Sequence, residues 1–427
     1  MIRIVSSVLI ALLSAGAGLY ARQKTDDGTD LLEKIEKARA ALGAEHVEIS
    51  KGVVGTRRVR VGRRKFKTVP IIGIISREMA IAVLDGRGNI SIARAVKYND
   101  RFDVQTPGIT LSVRRENGIN SDFACLRPAG GRILAVKYPV SNERGRFGPG
   151  DETLEVVYTP YSGEIATDAV VDEGIDVQRK MIDRAYHRLK ERQVTSRAFP
   201  GRYVASVIPK DIVTVLLVNE HIDPGQFIAA GLAEPLAKQV LTIIATNEER
   251  AYAYSISPAG ARGLVQMIPS TYALMRNKYP EARLNPDFSA GMTDSVNALV
   301  AQVLLCDSDW QTIRSRADIP ASRIGPYLAA AYNGGVRRVI SILDDDETDW
   351  MEAPDSGHPT TTVTRRVRVR SRSKSGRVRT TYVVKRYTQP IFRSETSKYV
   401  RQYHWIHDFF VKKGVKGFGR AAGVDDK

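Results

Sequence analysis

Residues 248–272 read EERAYAYSISPAGARGLVQMIPSTY, and the change of texture across them decides how the second half of the chain folds. Before them, residues 236–250 carry apolar side chains at helical spacing. Val240, Ile244 and Glu248 stand four apart, so a continuous helix would bring the Glu248 carboxylate in line with its apolar face. A carboxyl group withdrawn from water favours its neutral form and can donate a proton. Glu249 is the nearest rival, but Ala245 and Thr242 precede it on a less apolar line. Glu220, in Val218-Asn219-Glu220-His221, reads as a surface carboxylate at a helix end. From Ser257 onward Pro258, Gly260 and Gly263 are too dense for a helix, and the glycines suit turns that bring backbone close to a ligand.

Working outward, residues 211–221, 295–305 and 326–332 also read as helices and make the C-terminal part mainly α. Pro326 suits a first helical turn and Gly334 with Gly335 a helix end, which places Tyr332 and Asn333 at a C-terminus. Glu395 and Tyr399 stand four apart on a last helix, where a surface contact is the plain reading.

In order, the four blocks are Glu248, the Ser257-to-Gln266 segment, AAAYNGG at 329–335 and ETSKYV at 395–400. Together they resemble the soluble lytic transglycosylase family, over roughly residues 205–413. The resemblance implies a goose-type lysozyme-like fold acting on peptidoglycan, with Glu248 as catalytic acid and base. It further assigns Ser257, Gln266, Tyr332, Asn333, Glu395 and Tyr399 to the substrate cleft. Most glycoside hydrolases need two carboxylates, and no second acid stands out here. The family's route is substrate-assisted. Glu248 protonates the bond between N-acetylmuramic acid and N-acetylglucosamine, the acetamido group stabilises the cation, and the muramyl C6 hydroxyl closes a 1,6-anhydro ring. No metal or cofactor is implied. Glu249 stands where the family usually has serine, and Ile268 where it usually has methionine. Attack by water would make the enzyme a lysozyme, and loss of chemistry would leave a peptidoglycan-binding scaffold of a cell-envelope machine.

The N-terminal half has another texture. Leu31, Ile35, Ala38 and Leu42 recur at helical spacing after Asp30, and from residue 47 to 159 β-branched runs alternate with glycine. Runs at 79–84 and 90–95 around Asp85-Gly86-Arg87-Gly88-Asn89 read as a hairpin. The glycines there read as a plain turn in preference to a phosphate loop, because no Lys-Ser or Lys-Thr pair follows and the next segment reads as a strand. Arg57, Arg58, Arg60, Arg63 and Arg64 around Val59 and Val61 read as the solvated face of an edge strand. Met181, Ala185 and Leu189 then mark a connecting helix before the Phe199-Pro200-Gly201 break.

The chain's 427 residues exceed what one core serves, and 43% apolar with 26% charged residues is ordinary for folded protein. The expectation is an α+β multidomain chain: signal peptide 1–21, helix and linker 22–45, β-rich domain 46–165, connecting helix 166–204, lysozyme-like domain 205–413 and tail 414–427. Arg3 before an apolar run at 8–13 and the small residues Ser14 to Ala17 has the layout of a secretory signal. The run is shorter than a membrane span, which favours a cleaved signal over a retained anchor, and the expected location is the periplasm or cell envelope.

Two cysteines, Cys125 and Cys306, exclude a disulfide framework but leave a single bridge open outside the cytoplasm, and Cys306 beside Leu305 reads as a buried thiol in preference to a bridge partner. The net charge of +17 attracts polyanions. Part of it lies in a basic insertion at 356–390, where Val363, Val367 and Val369 alternate with arginines as in a β-hairpin, although disordered tracts share this composition. It offers a contact for anionic wall polymer, membrane surface or an envelope protein. Nucleic acid is not an expected partner, since no aromatic stacking series accompanies the arginines. Asp344, Asp345, Asp346, Glu347 and Asp349 lack the pattern of a calcium loop and read as a solvated acidic loop.

Overall fold

The computed structural model describes residues 30–63, 65–99, 101–142, 153–222, 226, 233–344, 351, 360–372, 378–390 and 394–418. The expected signal peptide, Arg64 and residues 345–349 of the acidic loop lie outside these. As expected, a β-rich N-terminal region precedes a helical C-terminal region. The chain forms two compact units that interleave in sequence. One holds the described residues up to Ala185 with Lys238–Ala273 and Leu284–Leu299, and the other holds Tyr186–Ala237, Leu274–Arg283 and the described residues from Val300 on.

The first unit opens with helix α1 (residues 30–43). Its strands are β1 (Ile49–Arg60), β2 (Phe66–Leu84), β3 (Ile90–Tyr98), β4 (Phe102–Val104), β5 (Thr110–Arg115), β6 (Asp122–Arg127), β7 (Arg132–Ser141) and β8 (Thr153–Tyr158). The main sheet runs β4-β3-β2-β7-β8, with β1 also on β2, while β5 and β6 pair separately. Its β2–β3 hairpin closes through Asp85, whose Oδ1 accepts from the backbone N–H of Arg87 and of Asn89, both at 2.8 Å. Alternation puts Ala80, Ala82 and Leu84 on one face of β2, where they meet Leu31, Ile35, Ala38 and Leu42 of α1 in one core. Ala245 belongs to that same core, so the helix leading to Glu248 is built into the N-terminal region. The far end of β2 pairs with β1 alone among the described residues, and Val53, Phe66 and Ile72 on this ribbon and Val61 just beyond β1 are exposed.

Helix α2 (Asp168–Glu191) buries Met181, Ala185 and Leu189. It approaches α5 (Ala233–Asn247) so closely at Gly174 that any Cβ there would collide with the Leu241 carbonyl. Between these two come α3 (Val204–Val207) and α4 (Lys210–Asn219). Then follow α6 (Pro269–Lys278), α7 (Phe288–Thr293), α8 (Ser295–Arg314), α9 (Ile324–Gly334), α10 (Val336–Asp344) and α11 (Ser394–Lys412).

In the second unit α11 packs against α4 and α9. Here the 199–201 break is anchored: Phe199 meets Trp310 edge-on at 4.9 Å, and Arg314 lies 4.0 Å over the Phe199 ring. Strands β9 (Thr360–Arg372) and β10 (Val378–Pro390) pair antiparallel, Arg372 opposite Val378. Both cysteines are free thiols, and Cys306 is buried. No helix among the described residues is long and apolar enough to cross a membrane.

Candidate active site

Helix α5 does not run to Arg250. It stops at Asn247, and Glu248 starts a separate 3-10 turn, Glu248–Arg250. Glu248 has a φ of +49°, a left-handed conformation that costs a non-glycine residue about 1–2 kcal/mol. The turn takes its carboxylate off the Val240–Ile244 line and leaves it exposed, which corrects the expectation of an acid on the buried helix face. Glu249 is committed elsewhere, in an ion pair with Arg184 at 2.7 Å. Among the described residues the Glu248 side chain has no ion-pair or hydrogen-bond partner.

The segment after the turn folds back on itself. Ser257 closes a tight turn: its Oγ accepts from the Ala261 N–H at 3.1 Å, its carbonyl accepts from Gly260 and its own N–H donates to Ala261. It therefore caps a turn rather than a helix. Arg262 bridges to both Ile256 and Met267, and the Gly263 N–H donates to the Ser255 carbonyl at 3.1 Å. Gly263 has a φ of +69°, and any Cβ there would collide with the Met292 carbonyl, so only glycine fits. Gln266 is half-buried rather than exposed, left-handed at +43°, and its Nε2 donates to the Gly263 carbonyl at 2.8 Å. After the loop, Asn297 of α8 donates to the Tyr272 hydroxyl of α6 at 2.9 Å and to the Gly291 carbonyl of α7 at 2.8 Å, which ties these three helices together.

The other four expected residues lie in the second unit. Tyr332 and Asn333 sit in the last turn of α9, and Gly335 beyond them ends the helix with a φ of +88° and a ψ of 135°, a backbone conformation that favours glycine. Asn333 is exposed and its Oδ1 accepts from Thr396 at 2.7 Å. Tyr399 is buried, and its hydroxyl donates to Glu220 at 2.5 Å. Burial pushes the Tyr332 and Tyr399 hydroxyls well up.

Glu220 is where the sequence reading failed, because it is partly enclosed rather than a surface group. Burial pushes its carboxyl up to about 8, the Tyr399 hydrogen bond opposes the shift, and the nearby Glu395 charge adds to it. The folded state therefore holds a proton between the ordinary value of 4.5 and about 8 that the unfolded chain has lost. This contribution to stability is fully present below the unfolded value and disappears as pH rises toward 8, by up to about 1.4 kcal/mol per pH unit. Unfolding measured from pH 5 to 8 should show the wild-type chain losing stability relative to Glu220→Gln. Parallel profiles would contradict a buried, proton-holding Glu220.

A carboxylate freed at a helix end, followed by a glycine-dependent turn, can exchange a proton with a ligand laid against that turn. Residues 225–349 match the family model described as Transglycosylase SLT domain. Over those residues the chain carries the domain of the lytic transglycosylase and goose-type lysozyme-like family, which supports a peptidoglycan-acting function of that general type. The match contains Glu248, Ser257, Gln266, Tyr332 and Asn333 and stops before Glu395 and Tyr399. No curated protein and no solved structure gives a significant match.

Proposed function

We propose that the chain is a peptidoglycan lytic transglycosylase that cleaves the MurNAc–GlcNAc bond and leaves 1,6-anhydroMurNAc ends. The observation that carries this reading is the exposed Glu248 carboxylate just after the end of α5, without an ion-pair or hydrogen-bond partner among the described residues and inside the matched domain, ahead of the Ser257–Gln266 turn in sequence. A bound glycan would cover this exposed carboxylate and supply the desolvation that favours its protonated form. Glu248 then donates its proton to the glycosidic oxygen, the substrate's acetamido oxygen stabilises C1, and the resulting Glu248 carboxylate takes the C6 hydroxyl proton as the ring closes.

Ser257, Gln266, Tyr332, Asn333, Glu395 and Tyr399 are proposed contacts to the glycan. The catalytic domain is placed within 205–413, behind an export signal at 1–21 that delivers the chain to the cell envelope. The region around β9 and β10 is proposed as a basic insertion that holds anionic wall polymer, membrane surface or an envelope protein. Exposed Tyr382, Val384 and Tyr387 are available to such a contact.

Mass spectrometry of the products released from purified peptidoglycan tests the reading. Anhydro-muropeptides are the expected result. Reducing-end products would make the protein a lysozyme, and no release would leave a binding scaffold.

A further inference from the structure

The chain on both sides of Glu248 is tied to the β-rich N-terminal module. We propose that this module is the positioning frame of the catalytic acid, an inference that rests on Glu248 being the acid of the proposed reaction. Two residues before it, the Thr246 carbonyl accepts from Arg39 of α1 at 2.6 Å. One residue before it, Asn247 pairs its side-chain amide with the backbone of Thr159, which follows β8. Oδ1 accepts from the Thr159 N–H and Nδ2 donates to the Thr159 carbonyl, each at 2.8 Å. Arg39 also reaches Asn247 Oδ1 at 3.2 Å, and the Asn247 side chain is buried. Four residues after Glu248, the Tyr252 N–H donates to the Tyr158 hydroxyl at 3.2 Å. Seven residues after it, Ser255 Oγ accepts from Asn120 Nδ2 at 2.9 Å.

Between these ties lie two left-handed residues with ordinary side chains, Glu248 and Tyr252, the latter with a φ of +58°. Such conformations persist only where the surroundings over-determine them. Here the surroundings are Arg39, Asn120, Tyr158 and Thr159, all from sequence far upstream. A module that merely tethered the enzyme would make few bonds to the catalytic segment. This one holds the turn that aims Glu248. Arg39, Asn120, Tyr158 and Asn247 are thus positioning residues, and small displacements of a reacting group lower the rate of the chemical step more than binding.

The test uses the full chain carrying Tyr158→Phe with Asn120→Ala, which removes two ties and little packing, and separately Asn247→Ala and Asn247→Asp. Amide hydrogen exchange across 248–255, thermal unfolding, and kcat and KM on soluble uncrosslinked glycan strands are measured together. The double variant is expected to exchange faster only across 248–255 and to lose about tenfold in kcat. KM should stay near wild type, and the melting temperature should fall by no more than a few degrees, as expected for two lost hydrogen bonds. Asn247→Asp keeps the acceptor for Thr159 but sets an anionic oxygen against the Thr159 and Ile243 carbonyls, so it should lose kcat as Asn247→Ala does. Wild-type exchange and kcat in the double variant would overturn the proposal, as would loosening spread through the whole unit. A wild-type chain that releases no product would overturn the proposed function instead, and the exchange data would still decide whether the module holds the turn.

Discussion

Glu248→Gln is expected to reduce release of soluble muropeptides to background, a loss of about a thousandfold or more. Glutamine preserves size and hydrogen-bonding capacity but has no proton to give. General acid–base catalysis by one group contributes roughly 10²- to 10⁴-fold, and on the proposed route the same carboxyl acts in both steps, so nothing replaces it. Glu249→Gln, one residue away, should keep most activity. Its carboxylate is engaged by Arg184 at 2.7 Å with both side chains about half exposed, and surface pairs of this kind contribute only about 0–1 kcal/mol. The two variants share one composition and one net charge and differ only in which of two neighbouring positions is changed, so product release from the pair isolates the role of the site. Full release by Glu248→Gln would refute the assignment.

Asp307→Ala should give the largest loss of stability. Asp307 is fully buried and accepts from Ser196 Oγ at 2.5 Å, the Arg197 N–H at 2.7 Å and the Tyr279 hydroxyl at 2.8 Å. Ser196 Oγ in turn accepts from the Phe199 N–H at 2.9 Å, so one carboxylate anchors the chain break at 199–201 to α8. Alanine leaves two buried donors and one part-buried donor without this acceptor. At about 1–3 kcal/mol for each group left unsatisfied, and with some relaxation, a loss of about 3–5 kcal/mol is expected in urea unfolding. Asp307→Asn keeps one acceptor and should lose less. A change below about 1 kcal/mol for the alanine variant would show that the network is not what fixes this turn.

Local sequence signals hold where the structure depends on local rules. Leu31, Ile35, Ala38 and Leu42 are buried as their spacing requires, and β2 ends at Leu84 and β3 starts at Ile90, as the Asp85–Asn89 turn implies. Gly334 and Gly335 mark the end of α9. The site was legible as motifs and much less as geometry. Periodicity over 236–250 assumes one continuous helix, and it has no means of registering that Asn247 is drawn aside by Thr159, 88 positions earlier, or that Glu248 turns left-handed. Glu220 looked like a surface group for the same reason. The tyrosine that encloses it lies 179 positions downstream.

The bond between Arg39 and Thr246 spans 207 positions and has a consequence for how the protein is made. Ribosomes deliver the N-terminus first, at about 5–20 residues per second. The β-rich half therefore waits roughly ten seconds or more with an unfilled place where Ala245 belongs. Closing so large a loop is slow and leaves apolar surface open meanwhile. The halves of this chain mature together, and a fragment ending before α5 should be a client for chaperones rather than a finished domain.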